Sequence, residues 1–457
     1  MRKTAVIGLD CAAPQLVFDR FRDKLTNLTN IADEGIYGNL ESSDPPITIP
    51  AWMVMATGKT PGELGLYGFR HRKANSYDKQ WIATSNRVRD EKIWDILGGM
   101  GKRSILVGVP PSYPVYPLEG DLVGCFITPS IESPYTFPRE LADEIKELVG
   151  EYMVDVEFRL DDKESILDSV YEMTAKRFRV INYLIENHAW DFFMFVEIGL
   201  DRMHHAFWRY FDESHHLYKP GTKFEKVIEE YYIYLDNKIG ELLERFDDET
   251  RVLVVSDHGG KPMRGCFCIN TWLLEEGLLQ LKEKPEKGSR LNDLEVDWKK
   301  TKAWGWGGYY SRIFLNVKGR EEQGSIEPSD YENTRDEIAK MIGEIRGPKG
   351  EEWDTKVLKP DEIFPAVNGD PPDLMVYFDD LYWRSAGTLG HGTKYLREND
   401  TGPDDAVHDK AGMYIYWDPV EDYGGEKQNH NILDIAPTIM RALGLAIPGY
   451  MRGKPII

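Results

Sequence analysis

Residues 252–260 read VLVVSDHGG, an apolar run that leads directly into an acid, an imidazole and two glycines. Uninterrupted apolar residues over this length are typical of a strand that is covered on both faces, as in a parallel sheet. Burying a charge without partners is costly, so Asp257 and His258 should meet other polar groups where the strand ends. The stretch therefore predicts a buried strand with a polar site at its carboxyl end.

Other runs of the same character are distributed along the chain. They cover residues 4–10, 103–109, 191–201, 372–378 and 411–417. Amphipathic helical patterns lie between them, at residues 89–101, 222–246 and 431–445. Strand alternating with helix predicts an α/β fold, a doubly wound sandwich with a mostly parallel sheet and helices on both faces.

Two stretches interrupt this alternation. Residues 130–190 are mostly helical in pattern and charged, and residues 275–365 are rich in Lys, Glu, Gly and Pro. We therefore expect one catalytic domain over residues 1–457, with a helical insertion at 130–190 and a second insertion, or cap, at 275–365.

Composition limits the partners. The formal net charge of −21 argues against a nucleic-acid duplex or an anionic membrane surface as a partner. The opening MRKTAVIGLD has no apolar leader, and no apolar run is long enough to span a bilayer. These features predict a soluble cytoplasmic protein and leave homo-oligomerisation open. Four cysteines, Cys11, Cys125, Cys266 and Cys268, do not make a disulfide framework in so long a chain, and the closely spaced Cys266 and Cys268 are interpreted as packing residues.

Three of the runs end in, or just before, an aspartate: Asp10, Asp201 and Asp257. Any one of them could be an ordinary loop or cap residue. In open α/β sheets, however, ligands bind outside the carboxyl ends of the strands. Three acids with this placement favour a shared site.

Histidines accompany these acids. His258 follows Asp257, His205 lies one helical turn after Asp201, and His408 precedes the apolar run at 411–417. Aspartate and histidine without cysteine suit zinc, manganese or iron(II), and three of each suffice for two ions. Three other histidines lack such placement and are interpreted as surface or packing residues: His204, His215 and His216.

A nucleophile candidate lies in PPITIPAW, residues 45–52, where Thr48 precedes an apolar helical run. Thr48 could be a plain N-cap residue, with Pro50 tolerated near the start of the helix. A helix N-terminus also attracts phosphate through its free N–H groups and its dipole. A hydroxyl at that position, beside a metal, could attack phosphorus.

Taken together, these motifs resemble those of the alkaline phosphatase superfamily, in its type I phosphodiesterase/nucleotide pyrophosphatase branch and most closely its prokaryotic phosphohydrolases. The matching segments span nearly the whole chain in the order found in that family: VIGLDCAAP (6–14), PPITIPAWMVMATGKTPGELGLYGF (45–69), EIGLDRMHHAFW (197–208), VVSDHGG (254–260), DWKKTKAWGWGGYYSRIFLNVKGR (297–320), AVHDKAGMYI (406–415) and ILDIAPTIMRALGLAIPGYMRGKPI (432–456). The resemblance implies an alkaline-phosphatase-like three-layer sandwich with inserted cap or lid segments.

The resemblance also implies roles for individual residues. Thr48 would be the catalytic nucleophile, forming a phosphothreonine intermediate, and would share one metal with Asp10, Asp257 and His258. The second metal would be held by Asp201, His205 and His408, for which His391 is a competing histidine. The cofactors expected are two divalent ions, zinc first, with manganese or another ion as alternatives.

One departure from the family pattern concerns phosphate binding. The stretch GLYGFRHRK (65–73) lacks the asparagine that contacts a phosphoryl oxygen in the family. The residues that could replace it are Tyr67, Arg70, His71, Arg72 and Lys73, although RHRK could equally be a solvated run of charge. Aromatic residues in KAWGWGGYYSR could stack on a base or a sugar, or simply pack: Trp304, Trp306, Tyr309 and Tyr310.

The function expected from these features is a metal-dependent phosphodiesterase or nucleotide pyrophosphatase that acts on a small phosphate ester such as a nucleotide. Alternatives in the same class are a phosphomonoesterase, a phosphonate hydrolase and a phosphomutase. A non-catalytic metal-binding protein is a further alternative, and the full set of candidate ligands argues against it. Cyclic dinucleotides, nucleotide sugars and lipid-linked phosphates are all open as substrates.

Overall fold

The computed structural model describes residues 2–457, in which there are twenty-one strands and twelve α-helices. In chain order the strands are β1 Thr4–Leu9, β2 Ile36–Glu41, β3 Arg70–Arg72, β4 Gln80–Ile82, β5 Ser104–Val107, β6 Gly120–Val123, β7 Thr136–Phe137, β8 Phe192–Glu197, β9 Arg251–Val255, β10 Gly259–Pro262, β11 Gly265–Cys268, β12 Ala303–Trp306, β13 Ser311–Leu315, β14 Lys356–Leu358, β15 Leu374–Tyr377, β16 Trp383–Ala386, β17 Tyr395–Leu396, β18 Ala406–Asp409, β19 Ala411–Trp417, β20 Glu426–Lys427 and β21 His430–Asn431.

The α-helices, in the same order, are α1 Thr26–Glu34, α2 Thr48–Thr57, α3 Pro61–Leu64, α4 Ile93–Gly99, α5 Leu141–Val149, α6 Lys163–Asn187, α7 Gly199–Phe211, α8 Val227–Leu243, α9 Ile269–Glu275, α10 Tyr331–Gly343, α11 Pro360–Ile363 and α12 Ile435–Ala442. Short helical turns of other types cover Gln15–Arg20, Arg22–Lys24, Ser85–Arg87, Leu291–Asp293, Pro328–Asp330 and Ile432–Asp434. Across residues 2–457, none of the helices has both the length and the apolarity needed to cross a bilayer.

A ten-stranded sheet forms the centre of the described chain. Its order is β20-β2-β19-β9-β1-β8-β5-β6-β7, and β21 also pairs with β2. The middle strands β9, β1, β8, β5 and β6 are all parallel, whereas β19 is antiparallel to both of its neighbours. The mostly parallel sheet is therefore confirmed. The apolar run at 411–417 carried no sign of its direction, because a strand buried on both faces is equally apolar whichever way it runs.

Helices cover both faces of this sheet, which confirms the three-layer sandwich. Alternate residues of β1 enter opposite cores: Ala5 and Ile7 lie in one buried cluster and Val6 lies in the other. The first cluster is closed by α1, α6, α7 and α8, and the second by α2, α4 and α12. Helix α6 thus belongs to one of the covering layers, within the stretch 130–190 that was expected to be an insertion.

A smaller antiparallel sheet, in the order β12-β13-β15-β14, lies outside the central one. It has its own buried core, to which α9 and α10 contribute. Residues 275–365 supply three of its four strands, and the fourth, β15, comes from the run at 372–378. That run is therefore a strand, as predicted, but of the smaller sheet. The exact limits of the two insertions stay a proposal.

Candidate metal centre

The first group of candidate ligands forms at the ends of two adjacent strands. Asp10 follows β1, and Asp257 and His258 follow β9, its parallel neighbour, with Ile7 opposite Val254. All three side chains are fully buried. His258 Nε2 lies 3.2 Å from Asp257 Oδ2 and 3.8 Å from Asp10 Oδ1. One ligand atom from each residue lies within 4.8 Å of the others, which is close enough to surround one ion.

The second group joins a helix to a distant strand. Asp201 and His205 are one turn apart on α7, with His205 Nε2 3.1 Å from Asp201 Oδ1. His408 comes from β18 and places its Nε2 3.8 Å from the same oxygen. These ligand atoms also lie within 4.8 Å of one another. Asp201 was expected at a strand end, but β8 ends at Glu197 and Asp201 lies in the first turn of α7.

The two groups meet through their histidines. The rings of His258 and His408 are stacked, with centroids 3.7 Å apart and planes 16° apart. His258 Nδ1 lies 3.1 Å from the carbonyl oxygen of Gly259, and His408 Nδ1 lies 2.8 Å from that of Pro46. Since each Nδ1–H donates to a carbonyl, each Nε2 keeps a free lone pair that points toward its group.

Unpartnered polar atoms test whether these residues suit metal ions. Among residues 2–457, four buried atoms in the two groups have no hydrogen-bond partner: Asp10 Oδ1, Asp257 Oδ2, Asp201 Oδ1 and His205 Nε2. Leaving such groups unpaired in the interior costs roughly 1–3 kcal/mol each, and more for charged groups. Oxygen and imidazole nitrogen donors in this number suit zinc or manganese. The residues present therefore fit two divalent ions.

The carboxylates of the two groups differ in electrostatic environment. Burial, and then the charge of Asp201, raises the pKa of Asp10 well above its ordinary value. Burial, and then Asp10, raises the pKa of Asp257 in the same way. Burial would also raise the pKa of Asp201, but His205 and Arg202 hold it well below the usual range.

The histidine pKa values also differ. Burial lowers the pKa of His258 to about 4, and burial together with His258 lowers that of His408 well below its ordinary value, so both imidazoles are neutral near pH 7. Burial disfavours the protonated form of His205, yet Tyr309, Asp404 and Asp201 raise the pKa of His205 well above its ordinary value. A metal ion would have to displace that proton.

Supporting residues behind the ligands were not predicted from the sequence. Asp404 Oδ1 accepts a hydrogen bond from His205 Nδ1 at 2.7 Å, while its other oxygen bonds to Arg159 and Arg384. Such a carboxylate fixes the orientation of a ligating imidazole and raises its basicity. The sequence feature that could have indicated this role is the pair of aspartates at 404–405, just before β18. Similarly, Trp52 of α2 donates to Asp10 Oδ2 at 2.9 Å.

Arg202 supports the second group from the other side. It donates to Asp201 Oδ2 at 2.6 Å and forms two bonds of 2.8 Å to Asp155. The only sign of this role in the sequence was that Arg202 directly follows Asp201, because Asp155 is distant along the chain. The second group is therefore supported by an ion pair that the first group lacks.

Thr48 lies beside both groups. Helix α2 begins at Thr48 itself, with Ile47 as the preceding extended residue, so Thr48 is the first helical residue and not the predicted N-cap. Its side chain is buried, and its Oγ1 lies 3.4 Å from His258 Nε2. Thr48 also lines a cavity of about 550 Å³ together with Asp201 and His408. A hydroxyl, two ligands and an open space for a small molecule thus coincide.

Only some of the predicted substrate contacts reach this cavity. Arg70 and Tyr309 line it, and Tyr309 stacks on His408 with ring centroids 3.9 Å apart. His71 does not reach it: the ring stacks on Trp81 at 4.0 Å, and its Nε2 accepts the N–H of Tyr67 at 2.7 Å. Burial lowers the pKa of His71 to about 3. His71 is thus a neutral packing residue, because the alternation of β3 turns it away from the face that Arg70 occupies.

Trp304 is likewise corrected from a substrate contact to a core residue. It is fully buried in the smaller sheet, stacked on Phe314 at 5.5 Å and edge-on to Trp298 at 5.2 Å. Its place in the middle of β12 points it into the core of that sheet, whereas Tyr309 and Tyr310 follow the strand and reach the cavity.

The other candidates for replacing the asparagine do not line the cavity. Arg72 pairs with buried Glu321 at 3.0 Å, Tyr67 is fully buried, and Lys73 is exposed. Arg70 alone of the five proposed residues lines the cavity wall. Within the GLYGFRHRK stretch, the segment that lines the cavity is Gly68–Arg70.

The remaining histidines and cysteines lie outside the two ligand groups. His204 is buried against Trp208 and Tyr232, and His391 bonds to Thr388 at 2.8 Å, away from the ligands. His215 is buried and His216 is half-buried. The four cysteines are buried and free, which agrees with the interpretation of Cys266 and Cys268 as packing residues.

The three-layer α/β fold is alkaline-phosphatase-like, and two Asp/His groups lie at the carboxyl edge of its central sheet. The sequence profile described as "Type I phosphodiesterase / nucleotide pyrophosphatase" matches residues 4–404. The chain belongs to this family.

Solved structures share the fold at low sequence identity. The human ectonucleotide pyrophosphatase/phosphodiesterase 5 is 12% identical, with a TM-score of 0.54 over 99% of this chain and 97% of that chain. Its murine counterpart, solved as an inactive form in complex with AMP, is 13% identical with a TM-score of 0.53 over 98% and 96%. Phosphonoacetate hydrolase from Sinorhizobium meliloti, in complex with phosphonoformate, is 14% identical with a TM-score of 0.60 over 98% and 96%. No curated protein matches the chain by sequence.

Proposed function

We propose that the protein hydrolyses phosphodiester or nucleotide pyrophosphate bonds, with Thr48 as nucleophile and two divalent ions held by the two ligand groups. The observation that carries the proposal is the position of the Thr48 hydroxyl, 3.4 Å from His258 Nε2 and in one cavity with Asp201 and His408. The unpartnered buried atoms of Asp10, Asp257 and Asp201 support the ions.

Each part of the chain has a defined task in this reaction. Asp10, Asp257 and His258 would hold one ion and Asp201, His205 and His408 the other. Two divalent ions, when bound, supply Lewis acidity that lowers the pKa of a hydroxyl and neutralises charge at phosphorus. Thr48 Oγ attacks phosphorus in line with the leaving oxygen, giving a phosphothreonine that water then hydrolyses, which restores the hydroxyl. Thr48 is the first residue of α2, so the positive end of the helix dipole would favour the negative charge that develops there.

Hydrolysis of phosphonates or phosphomonoesters is the alternative, with a phosphomutase a more distant one. The arginines around the cavity favour it, because a small substrate with a carboxylate or a second charge would find partners there. A non-catalytic metal-binding role has less support, since every predicted ligand is retained and buried.

A direct assay separates these functions. Bis-p-nitrophenyl phosphate and p-nitrophenyl phosphate are hydrolysed side by side after loading with Zn²⁺ or Mn²⁺. We expect the diester to be the better substrate by kcat/KM. A clear preference for the monoester would contradict the proposal, and failure to hydrolyse either would favour the non-catalytic alternative.

Four further properties are predicted from the sequence alone: zinc as the preferred ion, a nucleotide as the substrate, a cytoplasmic location and homo-oligomerisation. Metal analysis of the purified protein addresses the first, and the assay above, repeated with nucleotides, addresses the second.

A further inference from the structure

The cavity beside Thr48 is unusually rich in arginine for so acidic a protein. Five arginines line it: Arg70, Arg159, Arg202, Arg312 and Arg384. The whole chain has a formal net charge of −21. Two aspartates, Asp155 and Asp201, also line it, so arginines outnumber acids in the wall of an otherwise acidic protein, and a locally positive wall attracts anions.

Three of the five arginines are neutralised by neighbouring acids. Arg202 is held by Asp155 at 2.8 Å and by Asp201 at 2.6 Å. Arg159 and Arg384 share the carboxylate of Asp404 that supports His205. These three arginines therefore already pair with the carboxylates that bind or support the candidate metal ligands.

The other two, Arg70 and Arg312, form no ion pair within residues 2–457. Arg312 is held in place by a bond from its guanidinium to the carbonyl oxygen of Arg70, and its buried Nε has no partner there either. Its guanidinium also lies 5.2 Å from the centre of the Trp306 ring. Burial, and to a lesser degree Arg70, lowers the pKa of Arg312. The Arg312 guanidinium is therefore fixed against the backbone of Arg70, and neither arginine has a counter-charge in the described chain.

The position of this pair is offset from the nucleophile. Arg70, Arg312 and Arg384 also line a neighbouring cavity of about 300 Å³, whereas Thr48 lines only the larger one. An anion bound between them would sit at the junction of the two cavities. It would therefore be a different group from the phosphorus centre that Thr48 attacks.

We propose that Arg70 and Arg312 form a subsite for a second anionic group on the substrate, a phosphate or carboxylate distinct from the reacting phosphate. This inference rests on the proposed phosphodiesterase function and narrows its substrate class. Guanidinium groups bind such oxyanions through paired N–H donors, and the Arg312 side chain, already held by the carbonyl oxygen of Arg70, costs little to order. Apolar residues in the same cavity, Phe69, Ile82 and Phe158, would contact the organic part between the two anions.

The test compares three substrates that are all built on thymidine 5′-phosphate. The first is the p-nitrophenyl ester of thymidine 5′-phosphate, which has no second anion. Thymidine triphosphate carries extra negative charge on the leaving group, and the same p-nitrophenyl ester with an added 3′-phosphate carries it on the retained part. Values of kcat/KM for the three, at low and high salt, locate the second anion.

Two variants and one matched control complete the design. Arg70→Ala removes an exposed side chain, so folding should be retained. Arg312→Lys keeps a positive charge but loses the paired N–H donors. Arg346→Ala, an exposed arginine that does not line the cavity, is the control. Circular dichroism confirms that each variant is folded.

We expect the wild type to prefer at least one doubly anionic substrate by about tenfold or more, as one charge-assisted pair allows. Arg70→Ala and Arg312→Lys should each reduce that ratio at least fivefold, while Arg346→Ala leaves it unchanged. Equal efficiency on all three substrates, or a preference that survives both variants, would overturn the subsite alone. If the loaded wild type hydrolyses none of them, the proposed function fails and the subsite falls with it.

Discussion

The two ligand groups contain the same kinds of residue but differ in how the protein supports them. Asp10 and Asp257 come from adjacent strand ends, and burial raises the pKa of both carboxylates, with Asp201 adding to the shift of Asp10 and Asp10 to that of Asp257. Asp201 is paired with Arg202, and His205 is paired with Asp404. The first group therefore depends on a cation to offset its charge, whereas the second is already neutralised by side chains.

The largest expected effect concerns the residue between the two groups. Replacing Thr48 by alanine should lower kcat for bis-p-nitrophenyl phosphate by about 10³-fold or more, because the nucleophile is lost while both ligand groups remain. Thr48→Ser, which keeps the hydroxyl, is the matched control and should retain part of the activity. Unchanged hydrolysis by the alanine variant would show that the nucleophile lies elsewhere.

Removing the support of the second group should weaken metal binding there. Asp404→Asn should lower the affinity for the more weakly bound Zn²⁺ by about 10–100-fold, because His205 loses its orienting carboxylate. Isothermal titration after chelation measures both ions. Asp405→Asn is the control, since Asp405 pairs with Arg209 and leaves the His205 ring untouched. Equal losses in the two variants would contradict a specific role for Asp404.

Neutralising one carboxylate in each group should change the free energy of unfolding of the metal-free protein in opposite directions. Asp257→Asn removes a buried charge without a cationic partner and should raise the free energy of unfolding by about 1 kcal/mol. Asp201→Asn leaves Arg202 short of a partner and should lower it by about 2 kcal/mol. Urea denaturation in the presence of a chelator measures both changes. If both variants change stability in the same direction, the contrast between the groups is wrong.

The smallest effect concerns pH. The folded-state pKa of Asp257 is raised, so the folded protein binds its proton more tightly than the unfolded chain does. The resulting stability is present at low pH and is lost as pH rises above about 4. The stability advantage of metal-free Asp257→Asn over the wild type should therefore grow between about pH 4 and pH 7. A constant difference over that range would show that Asp257 keeps an ordinary pKa.

The sequence predicted the fold and the ligand set more fully than it predicted their surroundings. Buried strands that end in acids leave a clear pattern, and the spacing of Asp201 and His205 is that of a helical turn. Asp404, Arg159 and Arg384 meet only in the folded chain, from segments more than 200 residues apart in the case of Arg159, so no local pattern marks them.

Substrate contacts were the least predictable part. In KAWGWGGYYSR both tryptophans carry the same aromatic signal as the tyrosines, yet Trp304 lies in a core and Tyr309 lines the cavity. Whether an aromatic residue packs in the core or lines the cavity depends on where β12 ends, which is at Trp306. Aromatic composition alone does not reveal that end point. The unpaired state of Arg312 likewise depends on which acids fold near it.

The two glycines that follow Asp257 and His258 form a narrow ribbon with β18, in which Gly260 lies opposite His408. A Cβ at Gly260 would come within 2.7 Å of His204 Nδ1, so this position has no room for a side chain. It carries ligands of both groups, His258 at its start and His408 within it. A shift at one group would therefore move the other, and we expect the two ions to load cooperatively. A zinc titration of the apo-protein that fits two independent sites would contradict that coupling.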